Sequence, residues 1–186
     1  MALDADQILV AGGGRVLIAA LGTTAPTDTT TAWAGGWKNL GYTTDAGVVL
    51  RPNLSVNDIN AWQTFEPVRR VVTNRGLTVA FTLLQLTQEA LLIAFNGGTF
   101  AAGTGITTYT PGEPGSVYER ALGVEAVDGT KIVRLVVPRV DISEVGDIPF
   151  TKGSATQVPL TLAMLGVSGS APFTIIADDD AIEAAA

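Results

Sequence analysis

A mainly β fold, a sandwich or barrel-like unit with one short flanking α-helix and long loops, follows from three properties of the sequence. Val and Thr are abundant while Glu and Lys are sparse. Gly, at 21 positions, and Pro, at 9, punctuate the chain at short intervals. Apolar residues alternate with small or hydroxyl residues through Leu77, Thr78, Val79, Ala80, Phe81, Thr82 and Leu83. The 186 residues, 47% of them hydrophobic, suffice for one domain that buries roughly 70% of its unfolded surface. The expected organisation is an N-terminal arm over 1–14, a β-domain over 15–177 with an extended loop at 22–35, and an acidic tail at 178–186.

The first strand is expected at 15–21, after Gly12, Gly13 and Gly14. Residues 22–34, rich in Thr, Ala and Pro and without periodicity, read as a long exposed loop. Short strands follow at 37–42, 48–51 and 54–59, with a turn at Thr44, Asp45, Ala46 and Gly47 between the first two. The clearest strand runs over 77–86, about 33 Å at ~3.3 Å per residue. Its hairpin partner is placed at 68–73, with Asn74, Arg75 and Gly76 as the turn.

Thr87 is positioned to cap a short helix, with Leu86 and Leu91 spaced as a hydrophobic staple and Ala90 where a complete capping box has Glu. Leu91, Ala94 and Phe95 form its expected buried stripe, and Asn96, Gly97 and Gly98 end it. Residues 99–115 read as a second loop. Strands at 117–127 and 131–142 pair through Asp128-Gly129, a strong hairpin signal, and Pro138 makes the second an edge or places a bulge there. Residues 157–165 form a strand with Val158, Leu160, Leu162 and Met164 on one face, and 172–177 add a last one.

Composition bounds the chemistry. With no Cys there is no disulfide framework and no thiol nucleophile, and with no His the commonest general base and metal ligand are missing. A net charge of -7 with 11 scattered basic residues argues against a nucleic-acid binder, which neutralises phosphates with clustered Lys and Arg. Residues 8–21 lack the basic flank of a signal peptide, and no apolar run reaches the length of a membrane span, so the chain is expected in the cytoplasm where it is made.

Single constellations are better explained by structure. Gly12-Gly13-Gly14-Arg15 lacks the spacing of a phosphate-binding loop, and Asp178-Asp179-Asp180 lacks the spaced ligands of a calcium loop. Glu119 and Glu125 share a parity on one strand and Asp141, Glu144 and Asp147 cluster after another, which reads as the decoration of an exposed face. Lys152 and Ser154 sit in a Gly-Ser turn without a nucleophile motif. Trp37 and Trp62 read as packing residues, with a contact between subunits as the alternative. No catalytic, cofactor or metal site is assigned.

The order of segments is more informative. Gly22-Thr23-Thr24-Ala25-Pro26-Thr27 leads to Gly36-Trp37-Lys38-Asn39-Leu40-Gly41-Tyr42-Thr43-Thr44-Asp45-Ala46-Gly47-Val48. Then come Ile59-Asn60-Ala61-Trp62-Gln63, Pro67-Val68-Arg69 and Thr78-Val79-Ala80-Phe81-Thr82-Leu83-Leu84-Gln85 with its helix. This series resembles the major tail tube proteins of long, non-contractile-tailed bacteriophages, especially those of actinobacterial hosts, and the resemblance is best over residues 1–98.

The resemblance implies a structural virion protein, assembled in the host cytoplasm, whose hexameric rings stack into a tube. Its implied partners are further copies of itself, the tape measure protein, the tail terminator and distal tail proteins. DNA would pass through the lumen without specific binding. It also implies contacts between subunits at Pro26, Trp33, Trp37 and Trp62, and lumen-facing positions at Thr78, Thr82, Glu119 and Glu125. An open sheet edge, hazardous in a monomer, becomes the contact that closes a ring. Six subunits at -7 each carry 6 × (-7) = -42, and a lumen of that sign repels phosphates. The alternatives are a tail terminator, the inner tube protein of a contractile tail, and a carbohydrate-binding β-domain.

Overall fold

The computed structural model describes residues 8–178, so the expected arm over its first seven residues and the acidic tail past Asp178 fall outside the described residues. The strands and single helix come in the order β1 (Gly13–Ala19), β2 (Lys38–Asn39), β3 (Thr43–Asn60), β4 (Pro67–Leu83), α1 (Gln88–Ala94), β5 (Gly98–Gly103), β6 (Ile106–Pro111), β7 (Arg120–Asp128), β8 (Lys131–Val145), β9 (Val158–Met164) and β10 (Thr174–Ala177). The fold is mainly β, as expected.

One antiparallel sheet carries nearly everything, in the order β2-β1-β7-β8-β9-β4-β3, with β10 added on β8 and a separate β5-β6 hairpin. The sheet is rolled, because one face of five of its strands converges on one core. Val16 and Ile18 come from β1, Leu122 from β7, Val137 and Val140 from β8, Val158, Leu160 and Leu162 from β9, and Val79, Phe81 and Leu83 from β4. Each such side chain contributes about 1.5–3 kcal/mol by leaving water. The two ends of the strand order are joined by the chain itself: Leu40 N donates to Val16 O on β1 at 2.9 Å, and Leu84 N, just past β4, donates to Tyr42 O at 2.8 Å. Gly41 turns this short bridge at φ +100, a conformation that favours glycine, with the end of the Gln85 side chain 2.1 Å from where a Cβ would stand.

Thr87 caps α1 as its sequence foretells, its hydroxyl accepting from Ala90 N. The buried stripe differs: Ala90, Ile93 and Ala94 face the core, while Phe95 is exposed. The stripe is shifted by one residue, from 91, 94 and 95 to 90, 93 and 94, which turns Ile93 into the core and Phe95 out of it.

Three more corrections concern turns. Residues 74–76 are no turn: none of them has positive φ, and they sit inside β4, paired with 53–55 of the 18-residue β3. The chain reverses instead at 61–66, where Thr64 N donates to Ala61 O. The turn at 44–47 is absorbed as an irregularity within β3, between the pairs Thr43/Leu83 and Val48/Phe81. Residues 99–115, too rich in Gly and Thr to read as strand, largely form the β5-β6 hairpin, held by Phe100 stacked 4.8 Å from Tyr109 and by the Tyr109 hydroxyl, which donates to Gly97 O at 2.5 Å.

The β7-β8 hairpin forms where Asp128-Gly129 places it, with Asp128 pairing Lys131. Pro138 marks a bulge and not an edge: Leu122 pairs Val137 and Arg120 pairs Val140, while β8 is flanked by β7 on one side and by β9 and β10 on the other. The missing N–H of proline is tolerated where the ladder is already broken.

Candidate assembly surfaces

Opposite its core, the rolled sheet has an outer face in two halves. Over β4, β9 and the end of β8 nothing covers it among the described residues. Thr78, Ala80 and Thr82 on β4 lie beside Ala163, Thr161 and Pro159 on β9, and Thr161 and Ala163 lie beside Glu144 and Asp141 on β8. Glu119, just before β7, receives both arms of Arg139 at 2.8 and 2.5 Å, and this pairing holds its carboxyl below the usual range. The result is a smooth face of hydroxyls, methyls and a few charges, bordered on β3 by Val49, which pairs with Ala80 and is exposed.

Over β1, β7 and the start of β8 the face is covered by the loop between β1 and β2. Trp37 is buried against Leu17, Ala19 and Ala121, and its ring meets Trp33 edge to face at 4.8 Å. Gly123 lies under both: a Cβ there would stand 2.5 Å from Trp33 and 3.1 Å from Trp37. Gly123→Ala is therefore expected to lower stability by about 1–3 kcal/mol through overpacking, checked by urea denaturation.

The same loop is tied down by a buried charge network. Arg134, only 4% exposed, donates to Glu125 Oε2 at 2.7 Å and to the backbone carbonyls of Asp28 and Thr31, both at 2.7 Å. Glu125 also accepts from Arg15 Nε at 2.8 Å and Trp33 Nε1 at 2.9 Å. Asp178 accepts from the Thr29 hydroxyl and from Ile132 N at 2.8 Å, so the chain just past β10 grips the loop as well.

The acids of this network all titrate low. Burial alone would raise Glu125, but the Trp33, Arg15 and Arg134 bonds outweigh it. The Thr29 hydroxyl and the Ile132 amide lower Asp178. Asp28, bonded by the amide and hydroxyl of Thr31 and by Thr30, falls from the ordinary 3.8 to about 2. Carboxyls depressed by folding stabilise above their unfolded values and lose that contribution as pH falls through the folded ones. The loop is therefore expected to loosen as pH drops from about 4 to about 2, read as a red shift of Trp33 and Trp37 emission. A flat emission profile over that range would contradict it.

The third surface is an arm. Only the base of β4, Thr78–Leu83, pairs with β9; beyond it β3 and β4 continue as a two-stranded ribbon to Asn60 and Pro67. Leu54, Val56, Ile59, Val68, Val71 and Val72 are exposed on it, and at its tip Trp62 is 99% and Phe65 107% exposed. A lone ribbon of two strands is marginal in water, and among the described residues β3 has nothing paired along its other side. Four arginines, Arg51, Arg69, Arg70 and Arg75, face two acids, Asp58 and Glu66, between residues 48 and 81. Arg70 and Asp58 pair across the strands at 2.7 Å.

These surfaces divide the residues named from sequence. Thr78, Thr82 and Glu119 share the uncovered half of the outer face, whereas Glu125 lies under the loop, 8% exposed, its charge taken up by Arg15 and Arg134. Its parity was read correctly, but strand parity carries no record of what covers a face. Of the candidates for contacts between subunits, Trp37 and Pro26 are buried within the chain and Trp33 is half-buried on Glu125. Trp62, expected to pack, is fully exposed at the arm tip. Sequence reasoning passed over Phe65, whose signal was an aromatic between polar Thr64 and Glu66 in a turn, and Arg134, a lone cation in an apolar strand.

Among the described residues no group of acids is arranged to hold a metal ion, and no helix is long and apolar enough to cross a membrane. A protein-family model described as phage tail tube protein matches residues 1–186. No curated protein matches the chain.

Proposed function

The chain belongs to the phage tail tube protein family, a structural component of the virion tail and not an enzyme, and from that premise we propose that it is the major tube subunit of a long, non-contractile tail. Six copies close a ring, rings stack, and DNA leaves through the bore. The observation that carries this reading is the arm: an 18-residue strand whose outer half is exposed and whose free edge has no partner among the described residues. A monomer gains nothing from such an edge, whereas a ring pairs it with the next copy.

In this arrangement the uncovered face of Thr78, Ala80, Thr82, Thr161 and Ala163 lines the bore. Its acids Glu119, Asp141 and Glu144 are opposed by Arg139 and, toward the arm, Arg51. Without a cationic cluster, phosphates find no sites at which to release counterions and adhere. The tape measure protein fills the bore during assembly, and terminator and distal proteins cap the two ends. The resemblance of residues 1–98 to tail tube proteins of phages with actinobacterial hosts supports such a host.

Negative-stain microscopy of the purified chain at rising concentration tests the reading. Stacked tubes with a bore are expected. Single rings that never stack would assign the chain to a terminator, and monomers at all concentrations would contradict the proposal.

A further inference from the structure

A cavity of about 680 Å³ opens at the base of the arm, between the strand-entry residues Gly12 and Gly14 on one side and Tyr42, Asp45, Val48 and Leu50 on the other. At the far end of the same arm stand Trp62 and Phe65, both fully exposed among the described residues. From Val48 to Asn60 the arm extends roughly 40 Å at ~3.3 Å per residue. One surface offers two aromatic side chains, each burying about 150–250 Å² when packed; the other offers a space large enough for both. We infer that the tip of each arm seats in the base cavity of a copy in the adjacent ring, which rests on the ring-and-tube reading above.

Charge favours a second copy as the occupant. Residues 48–81 carry four Arg against two acids, a net +2, so with -7 overall the rest of the chain carries -9. Each arm is thus a cationic projection attracted to the anionic body of a neighbour, its net charge carried by Arg51 and Arg75 along the ribbon, since near the tip Glu66 offsets Arg69 and Asp58 pairs with Arg70. Tip and cavity lie at opposite ends of one element, so the contact is heterologous: filling one cavity presents a new tip one arm length away. That geometry propagates without limit and fixes the step between rings at no more than about 40 Å.

The chain has no Cys, which gives a clean background for cross-linking. The purified variant with Phe65→Cys and Tyr42→Cys, assembled and then mildly oxidised, is expected to give a ladder of covalent oligomers above the dimer on a non-reducing gel. Either single variant should stop at the dimer. Normal tubes from the double variant with no ladder would overturn the inference while leaving the tube intact. If the double variant does not assemble, Trp62 in the wild-type chain reports instead: its emission is expected to shift to the blue on tube formation, and the shift to vanish in Trp62→Phe. Tubes that form without this shift overturn the inference. A wild-type chain that forms no tubes removes the tube reading, and this contact with it.

Discussion

Replacing residues 54–75 with the dipeptide Asn-Gly is expected to yield a folded monomer that does not form tubes. Asn53 and Gly76 are directly opposite each other in the ribbon, so a two-residue turn joins them without disturbing the register below. No residue of the main core lies between them: the β4 contribution begins at Val79 and the β3 contribution, Val48, lies before the cut. Shortening an exposed hairpin changes closure entropy by less than about 1 kcal/mol, so the melting temperature should stay within a few degrees, at about 2–4 °C per kcal/mol for a chain this size. Assembly, which on the proposed reading uses the edge of β3 and the tip, should be lost in sedimentation at every concentration. Tubes from the shortened chain would show that rings are built from other surfaces.

The largest loss of stability is expected from Arg134→Ala. The substitution leaves Glu125 under the loop with only Arg15, itself half exposed, and the Trp33 indole, and it strips the carbonyls of Asp28 and Thr31 of their donor. Breaking a buried, hydrogen-bonded ion pair from one side costs about 3–5 kcal/mol, a fall of roughly 6–20 °C in melting temperature by the same scaling. Removing the exposed partner, Arg15→Ala, should cost far less, of order 1 kcal/mol or below. Equal effects of the two substitutions in thermal denaturation would mean that the loop is not held by Arg134.

The pattern of what was legible in the sequence follows from how each element is buried. The strands β4, β8 and β9 bury one face against a single core, so the period-two alternation at Leu77, Val79, Phe81 and Leu83 and at Val158, Leu160 and Leu162 marks them directly. The Asp128-Gly129 hairpin and the Thr87 cap are local and were legible for that reason. The arm was misread because Asn74, Arg75 and Gly76 have turn chemistry, and what overrides it is an 18-residue partner strand that no local window contains. Trp62 was assigned to packing because large aromatics usually are buried, and its exposure at the arm tip depends on a long ribbon that no local window reveals. Glu125 and Arg134 lie nine residues apart across a hairpin, and nothing in either strand signals that a loop from 22–35 folds over them.

The central claim is that β3 is an assembly edge and that the Thr78, Thr82 face lines a bore. A reconstruction of the assembled tube by electron cryomicroscopy, at a resolution that separates strands, tests both together. The account predicts six subunits per ring, a neighbouring strand about 4.8 Å from β3 along its free side, and the hydroxyls of Thr78, Thr82 and Thr161 facing the bore. A tube in which β3 stays unpaired, or in which the bore is lined by the loop over Glu125 and Arg134, would contradict it.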